Sequence, residues 1–195
     1  LLRLKLLRIR TLRASIGGNF FTRLGAGGMP FLLPLLYQVG LGYSPIQSGL
    51  LIMPQPLAAL TLKLFVVKIL NYFGYRKLLL FNTALIGFVI MLFATISQST
   101  PVWLIVFQAC CFGFFSSLQY TGMSTLAFAD IAEHDTSMAS TILSTVQQLS
   151  MSFGVATSSL VVALFIPDRF HIDSLQMIGG MHKAFIVLGL LTIIS

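Results

Sequence analysis

Charged residues are scarce in this chain of 195 residues: 9% are Asp, Glu, Lys or Arg, whereas 56% are hydrophobic. Soluble domains carry about 25% charged residues. Continuous apolar runs of roughly twenty residues separate the few charges, and a helix built from such a run has no face for water. The runs also lack the period-two alternation of a membrane barrel. The composition therefore excludes an ordinary soluble domain and predicts an all-α, polytopic membrane protein.

Residues that carry chemistry are also few. The only two cysteines, Cys110 and Cys111, are adjacent, and neighbours on a helix point about 100° apart, which does not favour pairing or metal binding. The sequence shows no Walker loop, nucleotide-binding motif or nucleophile elbow. We therefore predict no catalytic residue, no metal and no cofactor, and a protein that is not an enzyme.

The five acidic residues all fall in predicted loops: Asp130, Glu133, Asp135, Asp168 and Asp173. The first three form a cluster with His134. This cluster suits a metal or an acid–base pair, but a solvated loop whose carboxylates pair with Arg76 and Lys77 is the favoured interpretation. No acidic residue is predicted inside the membrane, where a proton carrier would have to titrate.

The apolar runs predict six transmembrane helices, at residues 14–40, 48–67, 78–96, 102–128, 138–166 and 182–195. The last run holds about fourteen residues, whereas a spanning helix needs about twenty. We therefore predict a basic juxtamembrane arm over residues 1–13, and a six-helix bundle over residues 14–195 whose last helix is truncated. Both ends of the chain suggest a piece of a longer protein.

The net charge of +7 is distributed unevenly along the chain. One predicted side of the membrane holds eight basic residues: Arg3, Lys5, Arg8, Arg10, Arg13, Lys68, Arg76 and Lys77. The other side holds Arg169 and, at its edge, Lys183. Because basic loops stay in the cytoplasm, we predict that the arm and the turn at residues 68–77 are cytoplasmic. The arm would bind anionic lipid phosphates rather than nucleic acid.

Polar residues inside the predicted helices are candidates for function. Arg23 lies nine positions after Ala14, about 13 Å along the helix axis and close to the middle of a ~30 Å hydrocarbon core. A charge at that depth must face a cavity, a partner or water. The alternative is a helix that begins later, so that the arginine extends to the interface.

Two further helices carry patterned small or polar residues. Gln108 and Gln119 are eleven positions apart and share one face. We expect that face to line an aqueous cavity, and the alternative is bonding to a neighbouring helix. Ser150, Gly154 and Ser158 recur every four residues, which predicts a seam for close helix packing.

Three motifs resemble one transporter family. They are G-Y-S-P-I-Q-S-G-L-L-I-M-P at residues 42–54, F-G-Y-R-K-L-L-L at 73–80 and A-S-T-I-L-S-T-V-Q-Q-L-S-M-S-F-G-V-A at 139–156. Together they resemble the C-terminal half of a major facilitator superfamily transporter, closest to the 14-helix drug:proton antiporter branch. One position departs from the pattern, because Asn71 stands where the family's loop usually carries an acidic residue.

The resemblance implies two six-helix bundles, each a pair of three-helix repeats, which rock around a central site. This chain would be the second bundle of a proton-coupled multidrug efflux protein in a bacterial inner membrane. The implied partners are the lipid bilayer, a hydrophobic or cationic drug, protons and the missing N-terminal bundle, which would hold the coupling carboxylate. By resemblance, the residues expected to line the cavity are Arg23, Gln38, Gln108, Gln119 and Tyr120.

Two alternatives remain open at this point. One is a nutrient or metabolite symporter of the same superfamily. The other is an accessory membrane bundle that transports nothing. Burial of Gln108 and Gln119 between helices would favour the accessory bundle, and access of water to them would favour transport.

Overall fold

The structure, a computed structural model, describes residues 9–63, 66, 70, 74–166 and 174–195, and every regular element among them is helical. The α-helices are α1 (Arg10–Ala26), α2 (Met29–Leu35), α3 (Pro45–Ile52), α4 (Pro54–Lys63), α5 (Tyr75–Leu92), α6 (Val102–Phe128), α7 (Thr136–Phe165) and α8 (Ser174–Ile194). A π-helical turn, Leu36–Gly40, continues α2, and 3₁₀ turns occupy Phe93–Thr95 and Glu133–Asp135. The predicted all-α class is confirmed.

Four helical stretches among the described residues are long and apolar enough to cross a membrane, judged by length and composition. They are Tyr75–Thr95, Val102–Phe128, Glu133–Phe165 and Gln176–Ile194. The count of six spanning helices stays a prediction. The charged residues predicted for the loops at 1–8, 68 and 168–173 lie outside the described residues, as does Asn71.

The first predicted helix is broken. Helix α1 begins at Arg10, four residues before the predicted start, and ends at Ala26, and α2 begins at Met29. Pro30 lies in the first turn of α2, where its missing N–H costs nothing, whereas it would clash with the carbonyl four residues earlier in a continuous helix. The helix predicted over residues 14–40 is therefore two helices joined at Gly27 and Gly28.

The second predicted helix is also divided. Helix α3 begins after Ser44, whose hydroxyl accepts a hydrogen bond from the Gln47 N–H while the Gln47 side chain accepts one from the Ser44 N–H. This capping box starts the helix three residues before the predicted boundary. Helix α4 then begins at Pro54, because proline is favoured at the first position of a helix.

The last helix is longer than predicted. Helix α8 begins at Ser174 and has 21 residues, so the predicted start near His182 is wrong. Met177, Ile178 and Met181 of the added turns are buried in the core. Packing against other helices stabilises this stretch as helix despite Gly179 and Gly180, a tertiary effect that hydropathy alone does not report.

The largest buried cluster joins α2, α5, α6 and α8. Phe93 lies at its centre, with ring centroids 6.2 Å from Phe112 and 5.9 Å from Phe185. Many other large apolar side chains are exposed, among them Leu80, Phe88 and Leu160. In water such surfaces would promote association, whereas in a bilayer they contact lipid tails.

Helices α1 and α7 approach closely along the predicted small-residue seam, which is confirmed. Ser150, Gly154 and Ser158 are all buried. A Cβ atom on Gly154 would collide with the backbone carbonyl of Arg23, and one on Gly28 would collide with the Ser158 hydroxyl. Small residues at this seam therefore bring the broken end of α1 against the middle of α7.

Candidate functional site

A cleft of about 640 Å³ lies among α1, α4, α6 and α7. It occurs where the α1–α2 break meets the α7 seam, so Arg23, Ala26 and Gly27 form one wall. The opposite side comes from α4 and α6, which pack closely because Gly113 has no Cβ to strike the backbone of Gln55. Close packing of small residues on two helix pairs thus shapes the cleft.

Helix α6 presents one regular face to the cleft. Phe112, Ser116, Tyr120 and Ser124 line it at four-residue intervals, the spacing that places side chains on one face of a helix. Of this set, only Tyr120 was predicted from the sequence to line a cavity. The same four-residue spacing was the signal that would have identified Ser116 and Ser124.

Arg23 and Tyr120 meet inside the cleft. The Arg23 Cζ atom lies 4.1 Å from the centroid of the Tyr120 ring, a cation–π distance. Both side chains are half-buried, and the Arg23 Nε atom is buried with no hydrogen-bond partner in the described part of the chain. The arginine is therefore held against an aromatic face while part of its hydrogen-bonding capacity is unused.

Lys63 of α4 also lines the cleft. It was not among the residues predicted to line a cavity. Among the described residues that line the cleft, the charged ones are Arg23 and Lys63 and none is acidic. The cleft is therefore electropositive in the described part of the chain.

Two other buried polar atoms of the cleft lack partners among the described residues. They are Nε2 of Gln55 on α4 and Oγ of Ser116 on α6. A buried polar group without a hydrogen bond is costly. These atoms, like Nε of Arg23, are therefore available to a bound molecule.

Gln108 and Gln119 do not line the cleft. The Gln119 carboxamide is 1% exposed; its Oε1 accepts a hydrogen bond from Nδ2 of Asn82 at 2.9 Å and its Nε2 donates to Oγ1 of Thr83 at 2.8 Å. Nε2 of Gln108 donates to Oγ1 of Thr95 at 3.3 Å. The shared face of α6 that carries both glutamines packs toward α5 and the 3₁₀ turn that follows it.

Gln38 lies in the π-helical turn and is exposed. It does not line the cleft either. The structure thus brings together Arg23 and Tyr120 of the five predicted residues and places the other three elsewhere.

The Asn82–Gln119 pair should contribute measurably to stability. We expect Gln119→Leu to lower the unfolding free energy by about 1 kcal/mol, since buried interhelical hydrogen bonds in membrane proteins average about 0.6 kcal/mol and this change removes two. Thermal unfolding in detergent measures the effect. Gln148→Leu, at an exposed position of α7, is the control, and an equal loss in both variants would contradict the prediction.

The acidic cluster offers no metal site in the described part of the chain, where no group of three His, Cys, Asp or Glu side chains could hold an ion. Within the cluster, Nε2 of His134 lies 3.2 Å from a carboxylate oxygen of Asp135. Cys110 and Cys111 are free thiols. These findings leave the cleft as the candidate site.

Comparisons with known proteins agree on one family. The family model described as Major Facilitator Superfamily matches residues 3–195. Relatives in Escherichia coli O7:K1 and Escherichia coli strain SE11 are 36% identical over 171 residues, and one in Shigella flexneri is 35% identical over the same length. Each is named "Putative multidrug resistance protein MdtD".

The match covers 88% of this chain and 36% of each relative. The chain therefore spans just over a third of the length of the curated relatives it matches. No solved structure shows a significant match.

Proposed function

This chain belongs to the Major Facilitator Superfamily, and we propose that it forms the second helical bundle of a transporter that exports small amphipathic molecules in exchange for protons. The observation that carries the proposal is the cleft in which Arg23 lies against Tyr120. The relatives' name refers to multidrug resistance, which supports export as the direction.

The cleft suits a transport site because of where its polar groups lie. Charged side chains inside membrane bundles are expensive and are associated with substrate or ion pathways. Arg23 lies at the α1–α2 break, and helices interrupted near a polar residue are a recurrent feature of transporter binding sites. In the proposed mechanism, a second bundle closes the cleft alternately from each side of the membrane.

Protons would be carried outside this bundle. The acidic residues that the structure describes, Asp130, Glu133 and Asp135, lie in the turn between α6 and α7 and not in the cleft. Arginine does not titrate in the physiological range. We therefore propose that the coupling carboxylate belongs to the N-terminal bundle, with Arg23 as its counter-charge in part of the cycle.

The accessory alternative has one observation in its favour. Gln108 and Gln119 are buried against α5 and its 3₁₀ turn, as expected for a bundle held by polar contacts. Transport is favoured by the donors of Arg23 and Gln55, which line the cleft and lack partners among the described residues, because a molecule bound in the cleft can satisfy them.

Transport is tested with the whole protein encoded by the gene that contains this sequence. Everted membrane vesicles are prepared with an interior that is more acidic than the medium. The accumulation of neutral, cationic and anionic fluorescent amphiphiles inside them is then recorded. We expect at least one class to accumulate and to leave when nigericin collapses the gradient. Equal signals in vesicles with and without the protein would refute the proposal.

For location, we propose a bacterial inner membrane with the turn between α6 and α7 in the cytoplasm. The basic residues of the N-terminal arm and of the start of α5, Arg76 and Lys77, support this orientation. Ala132 and Ser99 are exposed and lie at opposite ends of α6. In a variant whose two native cysteines are replaced, an impermeant maleimide added to intact spheroplasts should label Ser99→Cys and not Ala132→Cys. The reverse pattern would contradict the orientation.

A further inference from the structure

We infer that the transported molecules carry an anionic group, a carboxylate or a sulfonate, that binds at Arg23 in the cleft. This inference rests on the proposed function, in which the cleft is the substrate site. It departs from the expectation of a hydrophobic or cationic drug that the sequence resemblance implied.

The charge of the cleft is the first argument. Arg23 and Lys63 line it, and no acidic residue does among the residues that the structure describes. A cation that entered would meet two like charges in a site partly shielded from water, where such repulsion is stronger than in bulk solvent. An anion would meet two opposite charges.

The unsatisfied donors are the second argument. Nε of Arg23 and Nε2 of Gln55 are buried and find no hydrogen-bond partner among the residues that the structure describes, and both side chains line the cleft. Guanidinium and carboxamide nitrogens donate hydrogen bonds and do not accept them. A ligand that satisfies them must offer acceptor oxygens, as carboxylates and sulfonates do.

The Arg23–Tyr120 contact is the third argument. The Arg23 Cζ atom lies over the face of the Tyr120 ring, 4.1 Å from the ring centroid, and this contact leaves Nε of Arg23 without a hydrogen-bond partner among the described residues. A planar guanidinium held in this way matches the two oxygens of a carboxylate. The contact also engages the Tyr120 ring, which would otherwise be available to a cationic drug.

The remainder of the cleft suits an apolar body. Pro30, Phe112 and Met151 line it together with the polar groups. Aromatic and methionine side chains adapt to varied apolar shapes. The ligand class that fits is an amphipathic anion with an aromatic or aliphatic body.

Three probes that share a naphthalene ring system and differ in charge test the inference: 2-naphthoate, 2-naphthamide and 2-naphthylmethylammonium. Their binding to the purified whole protein is measured by microscale thermophoresis at pH 7.5. The variants are Arg23→Gln, Arg23→Lys and, as a matched loss of one positive charge outside the cleft, Lys183→Gln. Lys183 is an exposed residue of α8.

We expect naphthoate to bind about tenfold more tightly than the ammonium probe, the effect of one charge-assisted hydrogen bond. Arg23→Gln should remove this preference, Arg23→Lys should keep part of it, and Lys183→Gln should keep all of it. Tighter binding of the ammonium probe, equal binding of all three, or no binding of naphthoate at millimolar concentration would overturn the inference.

Transport of the same probes in everted vesicles separates this inference from the proposed function. Gradient-driven movement of the ammonium probe alone would leave the proposed function standing and overturn the inference. Arg23-dependent binding of naphthoate without gradient-driven movement of any probe would support the assigned ligand charge and contradict proton-coupled export. Preference for naphthoate that persists in Arg23→Gln would show that Arg23 faces a carboxylate of the protein instead, which also overturns the inference.

Discussion

Replacing Arg23 with alanine is expected to reduce export at least tenfold while the protein remains in the membrane at near-normal abundance. The side chain lines the cleft, and its Nε atom has no hydrogen-bond partner among the described residues. The change removes the cation–π contact with Tyr120, which is worth about 1 kcal/mol. Initial export rates in everted vesicles, divided by the amount of protein on an immunoblot, measure the effect.

Conservative variants at the same position separate charge from packing. Arg23→Lys keeps the charge and should retain partial export, whereas Arg23→Gln keeps polarity without charge and should resemble Arg23→Ala. Lys183→Ala is the control at a distant basic residue and should export normally. Near-normal export by Arg23→Gln would contradict a role for the charge of Arg23.

Replacing Gly154 with leucine is expected to prevent α1 and α7 from packing and to deplete the protein from the membrane. A Cβ atom at Gly154 already meets the Arg23 carbonyl and lies 3.0 Å from the Cα of Gly27. Backbone atoms cannot move aside as a flexible side chain can, so we expect a loss of about 3 kcal/mol, the upper end of overpacking effects. Fluorescence-detected size-exclusion chromatography of the detergent extract measures the folded fraction.

Gly17 provides the matched control for this substitution. It lies in α1, and a Cβ atom there would meet nothing within 4 Å. Gly17→Leu should therefore give a monodisperse peak close to that of the unmodified protein, and Gly154→Ala should be intermediate. Equal peaks for Gly154→Leu and Gly17→Leu would show that the seam tolerates bulk.

The helix boundaries show which parts of the fold local sequence patterns can predict. The runs at residues 102–128 and 138–166 match α6 and α7 closely, because a long apolar stretch needs no partner to be recognised as a helix. The stretch 174–181 was predicted as a loop, yet it is the first part of α8 with Met177 and Met181 buried. Its helical state depends on contacts with distant segments.

For the polar residues of the candidate site too, some features could be predicted from the sequence and others depend on tertiary packing. The spacing of Gln108 and Gln119 correctly placed them on one face of α6 but could not identify the surface that this face meets, which is α5 and its 3₁₀ turn. Gln55 and Ser116 were not predicted to line a cavity, because each is an ordinary polar residue until α4 and α6 pack together. Arg23 was identified because a charge within an apolar run is unusual without any knowledge of its neighbours.

The membrane class, the helical content and the family could be predicted from the sequence, because hydropathy and short motifs are properties of contiguous residues. The separation of α1 from α2, the contact of Arg23 with Tyr120 and the positive charge of the cleft in its described part emerge only in the folded bundle. These features depend on small residues such as Gly113 and Gly154, which let helices far apart in the chain approach closely. That packing determines which polar groups share a cavity. The sequence of any one helix cannot predict this, because the groups come from different helices.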